Sequence, residues 1–192
     1  MLTSMQVLML EAPKEFLAER RRNGADTRDE VWNGVLHVVP PPTFDHQEFC
    51  ADLEEVLRRI ARQLGWAGAH EAGIYDPDRP TQDFRVPDIA IAPRSSITRR
   101  GIEGPAKLVV EILSPKDESR EKLPYYAARG VEEVWLVDRE QRSVEVLVLR
   151  GDAYVVSLPI DGVTPTDVLG VTLETVPGRR LRIAWSGGAV DV

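Results

Sequence analysis

The chain has 192 residues, 43% hydrophobic and 29% charged, with a formal net charge of -7 at pH 7. That length suits one domain over residues 1–192 with a sizeable core, and the composition is that of an ordinary soluble globular protein. The acidic balance argues against a protein that coats nucleic acid, but not against one that meets a few phosphates through local positive charge. The single cysteine, Cys50, excludes an intramolecular disulfide and a cysteine-rich zinc site, so a reducing cytoplasm is the expected compartment. Met1 to Leu10 is mildly apolar but lacks the basic start and long apolar stretch of a signal peptide or membrane span.

In chain order, Pro13 to Arg22 reads as a first helix, with Pro13 near its first position and Asn23-Gly24 as its stop. Glu30 to Val39 carries Asn33-Gly34 between two apolar stretches, a strong hairpin signal. After three prolines, Phe44 to Leu64 repeats Phe49, Leu53, Val56, Leu57, Ile60 and Leu64 at helical spacing, and Gly65 closes the helix. Trp66 to Tyr75 reads as one strand. Phe84 to Ala92 and Lys107 to Leu113 read as two more, joined by a basic, polar loop. Lys116 to Arg129 reads as a helix that Pro124 either starts or kinks. Glu133 to Asp138 is a core strand, Ser143 to Leu149 and Ala153 to Leu158 form a hairpin, and one or two strands follow between Val168 and Ile183. The order implies an α/β or α+β fold with a mixed sheet flanked by helices and a β-rich C-terminal tail.

Two of these strands carry an acid inside an apolar run: Asp88 between Arg85 and Pro93, and Glu111 between Lys107 and Ser114. An ionised carboxylate inside a covered sheet costs several kcal/mol, about 3 or more, unless a positive charge meets it. If the two strands pair side by side in the right register, Asp88 and Glu111 supply oxygen ligands for Mg²⁺, with the Ile112 carbonyl as a neutral third. Lys122 follows on the next helix. There it would orient or help deprotonate an attacking water, or stabilise charge growing on phosphorus, with Lys116 and Arg120 as competitors.

Several motifs, in order, resemble the Uma2 family of putative restriction endonucleases in the PD-(D/E)XK nuclease superfamily. They are Pro87-Asp88, Val110 to Pro115, Glu121-Lys122-Leu123 with Tyr126, Ala127 to Val131, and Val134 to Asp138. Glu30 with Gly34, and His46-Gln47, also match, so the resemblance runs from about Glu30 to Asp138. It implies an αβββαβ restriction-endonuclease-like core, Mg²⁺ dependence with Mn²⁺ as an alternative, and hydrolysis of DNA phosphodiester bonds. The superfamily's lysine stands two residues after the second acid. That position here is Leu113, and the Uma2-like pattern moves the lysine to Lys122.

Each of these residues also has a plainer reading. Asp88 and Glu111 would be strand-end acids met by backbone N–H groups or arginine, and Lys122 a solvated helix lysine. Glu30 is an exposed hairpin acid or a site carboxylate. His46 belongs to a helix-capping cluster, or contacts phosphate or acts as general acid. His37 and His70 read as structural, Ser114 as a strand-end turn residue, and Tyr125, Tyr126 and Trp135 as core or interface aromatics. The competing function is a catalytically inert nuclease-fold binding or assembly module. A Mg²⁺ phosphohydrolase acting on a small substrate is a third. A homodimer is a candidate assembly, since two-fold dimers are common and double-strand cleavage would benefit from two sites.

Overall fold

A computed structural model describes residues 13–114 and 118–192. The apolar stretch from Met1 to Leu10 and the competing Lys116 lie outside the described residues.

The first helix, α1, runs Lys14–Arg22 with Pro13 as its N-cap, one position earlier than the sequence implies. The hairpin β1 (Glu30–Trp32) and β2 (Val35–His37) turns at Asn33 (φ 49°) and Gly34 (φ 88°). Two consecutive left-handed residues make the tight turn that matches the twist of paired strands. Helix α2 covers Phe44–Gln63, and the Thr43 hydroxyl accepts its capping hydrogen bond from the His46 backbone N–H at 3.3 Å. Its periodic face, Phe49, Leu53, Val56, Leu57 and Ile60, is buried.

Two expected strands are each split between sheets. Trp66 to Tyr75 becomes β3 (Trp66–His70) and β4 (Ile74–Tyr75), broken at Glu71, whose φ is 51°. Close approach also shapes this bend: a Cβ on Gly101 would lie 2.5 Å from the Gly73 carbonyl oxygen. Phe84 to Ala92 becomes β5 (Phe84–Arg85) and β6 (Ile89–Pro93). The chain changes sheet at Val86-Pro87-Asp88, where proline has no N–H to continue a ladder.

Strand β7 (Leu108–Leu113) is followed by α3, which spans only Leu123–Ala128, with Lys122 as N-cap and Pro124 in its first turn. The helix expected from Lys116 is therefore shorter, and Pro124 starts it rather than kinking it. Then come β8 (Glu133–Asp138), β9 (Ser143–Arg150) and β10 (Ala153–Ser157). The tail holds more than the expected one or two strands: β11 (Val163–Pro165), β12 (Thr172–Val176), β13 (Arg180–Trp185) and β14 (Gly188–Asp191).

The architecture is mixed α+β. A central six-stranded sheet has the order β10-β9-β8-β7-β6-β3, with only β7 and β8 parallel, a pairing that α3 makes possible as the crossover. One face buries Ile89, Ile91, Leu108, Val110 and Ile112 against α2 and the sheet β11-β12-β13-β14. The other buries Ala90, Val109, Val134 and Leu136 with Tyr125 and Tyr126 of α3 and Ile74 of the sheet β2-β1-β5-β4.

Candidate active site

Strands β6 and β7 pair antiparallel through Ile89↔Val110, Ala90↔Val109 and Ile91↔Leu108. One more step of that register sets Asp88 opposite Glu111. Alternation turns Glu111, two residues on from Val109, toward the side on which α3 packs, whereas Asp88 precedes β6 and its carboxylate meets His46 of α2. The Ile112 N–H donates to Asp88 Oδ2 at 2.6 Å, which ties the first acid to the backbone beside the second. The Ile112 side chain is buried on the opposite face.

Glu111 is 3% exposed. Lys122, at the N-cap of α3, reaches it from above: Nζ lies 3.2 Å from Glu111 Oε1 and 2.8 Å from Glu30 Oε1. The Tyr126 hydroxyl, one turn along α3, donates to Glu111 Oε1. Burial pushes the Glu111 carboxyl up to about 8. The Lys122 ammonium opposes the shift, and the nearby Asp88 and Glu30 carboxylates add to it. Burial alone would lower the Lys122 pKa, but two flanking carboxylates outweigh it and hold the amine protonated, above its ordinary value. Burial and the adjacent Glu111 raise the Tyr126 phenol.

Glu30 is not an exposed hairpin acid; it is 2% exposed. The Trp32 indole N–H donates to its Oε2 at 2.7 Å, and the Val86 N–H to its Oε1 at 2.9 Å, at the point where the chain leaves β5 for β6. Lys122 is likewise no solvated lysine, with 13% of its side chain exposed. His46 lies in the first turn of α2, and its Nε2 is 3.0 Å from Asp88 Oδ1. The helix cap is Thr43 rather than a cluster around His46. All five acids, bases and cations singled out in the sequence are thus linked in one chain of contacts: His46–Asp88, Asp88 opposite Glu111, Glu111–Lys122 and Lys122–Glu30.

Three supporting roles escape a sequence reading, although Tyr126 itself stands in the family-like motif. Trp32 anchors Glu30, and its only signal is the i, i+2 spacing that puts both on one face of β1. Tyr126 anchors Glu111. Arg85, 4% exposed, lies between two rings, 4.4 Å from the Trp32 centroid and 4.1 Å from that of Tyr125, and donates to Asp83 Oδ1 at 3.0 Å. It thereby braces the hairpin strand of Trp32 against Tyr125 of α3. The other candidates sit elsewhere: Arg120 pairs with Glu145, His70 with Glu54, and His37 stacks on Trp32 and pairs with Glu118. A cavity of about 330 Å³ between α2 and the β8–β9 turn, lined by Asp45, Asp52, Arg139 and Arg142, includes none of the five residues.

Among the described residues no three His, Cys, Asp or Glu side chains form a ready-made metal cage. Mg²⁺ does not need one, since it keeps several waters and takes one or two carboxylates plus substrate oxygens. Two carboxylates, Glu111 on β7 and Asp88 just ahead of β6 and bonded to the Ile112 N–H, are a donor set of the kind such an ion takes.

A family model described as "Uma2: Putative restriction endonuclease" matches residues 13–182. The chain belongs to the Uma2 family. Its match extends the motif-bearing region into the β-rich tail. Among solved structures, this Uma2 protein is similar to one from Anabaena variabilis ATCC 29413, titled "a putative nuclease belonging to DUF820". The two are 19% identical, with 74% of this chain and 83% of that chain covered and a TM-score of 0.59, a likeness of fold. No curated protein matches the chain.

Proposed function

We propose that this Uma2 protein is a Mg²⁺-dependent endonuclease that hydrolyses DNA phosphodiester bonds on a single PD-(D/E)XK-like domain. The observation that carries this reading is the Lys122 ammonium held between Glu111 and Glu30, with Asp88 tied to the backbone N–H of Ile112 beside Glu111. Asp88 and Glu111 would hold the ion, with the Ile112 carbonyl completing the protein's share, and Mn²⁺ would substitute. The ion would supply Lewis acidity toward the scissile phosphate and toward a bound water.

The chain's own groups do the rest. Lys122 stays protonated between its carboxylates, so it serves as a hydrogen-bond donor and fixed positive charge for the developing oxyanion rather than as a base. Glu30 holds Lys122 in position from the far side. His46, seated on Asp88, is placed to contact phosphate or pass a proton to the leaving oxygen. Among the described residues no helix is long and apolar enough to cross a membrane. The cytoplasm is the proposed setting.

Plasmid and oligonucleotide cleavage with Mg²⁺ tests the reading. Asp88→Ala and Glu111→Ala should each abolish cleavage and leave the circular dichroism spectrum unchanged; turnover at the parental rate in both variants would overturn it. The net charge of -7 favours a second reading, an inert nuclease-fold module. That module would show no divalent-ion binding by calorimetry, even with DNA present.

A further inference from the structure

The free edge of β10 is the least guarded surface of the fold. Strand β10 closes the six-stranded sheet with β9 on one side only, so its outer backbone groups have no strand partner. Natural edge strands are shielded by charge, proline, bulges or a covering element. From Ala153 to Ile160 the chain reads Ala-Tyr-Val-Val-Ser-Leu-Pro-Ile, without one charged residue, and its proline falls after the strand. Val155 is 55% exposed, Val156 43%, Leu158 73% and Ile160 69%. No other stretch of the described residues exposes so many large apolar side chains so close together.

We infer that β10 pairs antiparallel with β10 of a second copy, joining two central sheets across a two-fold axis. Charge and symmetry select this occupant. Each chain carries -7, and residues 153–160 carry no charge, so two copies meeting there place no like charges opposite each other across the joint. An antiparallel strand pair maps onto itself under two-fold rotation, as a contact made by the same surface on both partners requires. Val155 and Val156 point to opposite faces of the sheet, so each face of the joint receives a β-branched side chain from both copies. The edge is also held in place beforehand. The Tyr154 hydroxyl donates to the Val131 carbonyl at 2.8 Å, and the Ser157 hydroxyl to the Pro165 carbonyl at 3.2 Å. None of this depends on the catalytic reading.

Sedimentation equilibrium on the full chain tests the inference. The expected mass is twice that of the 21.5 kDa chain, and a monomer at the highest soluble concentration would overturn it. Val155→Lys with Val156→Lys places two charges on each edge and should give a monomer with unchanged circular dichroism. A double variant that folds and remains dimeric would locate the contact elsewhere and sink the inference. Should the double variant fail to fold, hydrogen exchange on the parent chain decides: β10 amides should gain protection as concentration rises. Protection independent of concentration would overturn the pairing.

Discussion

Lys122 Nζ and Glu30 Oε1 meet at 2.8 Å where the hairpin sheet, the central sheet and α3 converge, and the same ammonium lies 3.2 Å from Glu111. One cation thus relieves two buried acids. Removing it by Lys122→Met leaves both carboxylates facing each other in a nearly dry site. Breaking one partner out of a buried ion pair costs about 3–5 kcal/mol. The loss should be largest near about pH 8 and should shrink near about pH 5, where Glu111, whose carboxyl is raised to about 8, escapes the repulsion by holding its proton. Urea unfolding at the two pH values measures it. A loss equal at both would show that the ammonium acts by packing, not charge.

The Glu111 shift makes a second prediction, about pH and metal. Its folded pKa, about 8, lies above its ordinary 4.5. The folded state therefore holds this proton more tightly than the unfolded chain, and the group's contribution is fully present below about 4.5. It is lost as pH rises toward about 8, so the metal-free protein becomes less stable across that window and changes little beyond it on this account. Metal ligation runs the other way, because the carboxylate must shed its proton first. Apparent Mn²⁺ affinity should rise roughly tenfold for each pH unit below 8 and level off above it. Calorimetry at about pH 6.5 and about pH 8.5, in buffers of different ionisation heat, reads both the affinity and the released proton. Affinity that is flat with pH would remove Glu111 from the ligand set.

Part of this site was legible in the sequence because burial makes charge conspicuous. Asp88 and Glu111 each interrupt an apolar β-run, and a carboxylate there needs a partner. The hairpin was legible because Asn33-Gly34 meets a local backbone demand, and α2 because its apolar period is long and regular. The break at Glu71 was not, and at Pro87 the proline marks an edge or bulge but not a change of sheet. In both, strand-forming residues stand on either side of the bend, and only tertiary placement decides which sheet each half joins. The convergence of Glu30 on Lys122 was hidden for the same reason: it depends on how the hairpin sheet sits over the central one. Trp32 and Arg85 carry no sequence signal of their own, since their roles come from what their neighbours face.

Trp32 and Trp135 offer a matched pair. Each donates its indole N–H to a glutamate two residues earlier on its own strand: Trp32 to Glu30 at 2.7 Å, Trp135 to Glu133 at 2.6 Å. Glu133 also accepts from the Asp167 N–H and so ties the tail to the central sheet, away from the acid cluster. Replacing either tryptophan with phenylalanine leaves a buried acceptor short of a partner, at a cost of about 1–3 kcal/mol. Trp32→Phe should also lower kcat with little change in KM, because Glu30 loses its orientation. Trp135→Phe should lose stability alone. Equal effects of the two substitutions on kcat would show that Glu30 does not depend on its anchor.

Tyr126 supplies the last test, through its hydrogen bond to Glu111 Oε1. A donor to a carboxylate favours the ionised form, and this one works to lower the Glu111 pKa against the burial that raises it. Tyr126→Phe removes the donor and keeps the ring between α3 and the sheet. The carboxyl should then hold its proton to higher pH. The ascending limb of the cleavage-against-pH profile should move upward, with activity recovering toward the parental rate at the alkaline end. A drop in rate that is uniform across the pH range would instead mean that the hydroxyl acts by positioning Glu111, not by tuning its proton.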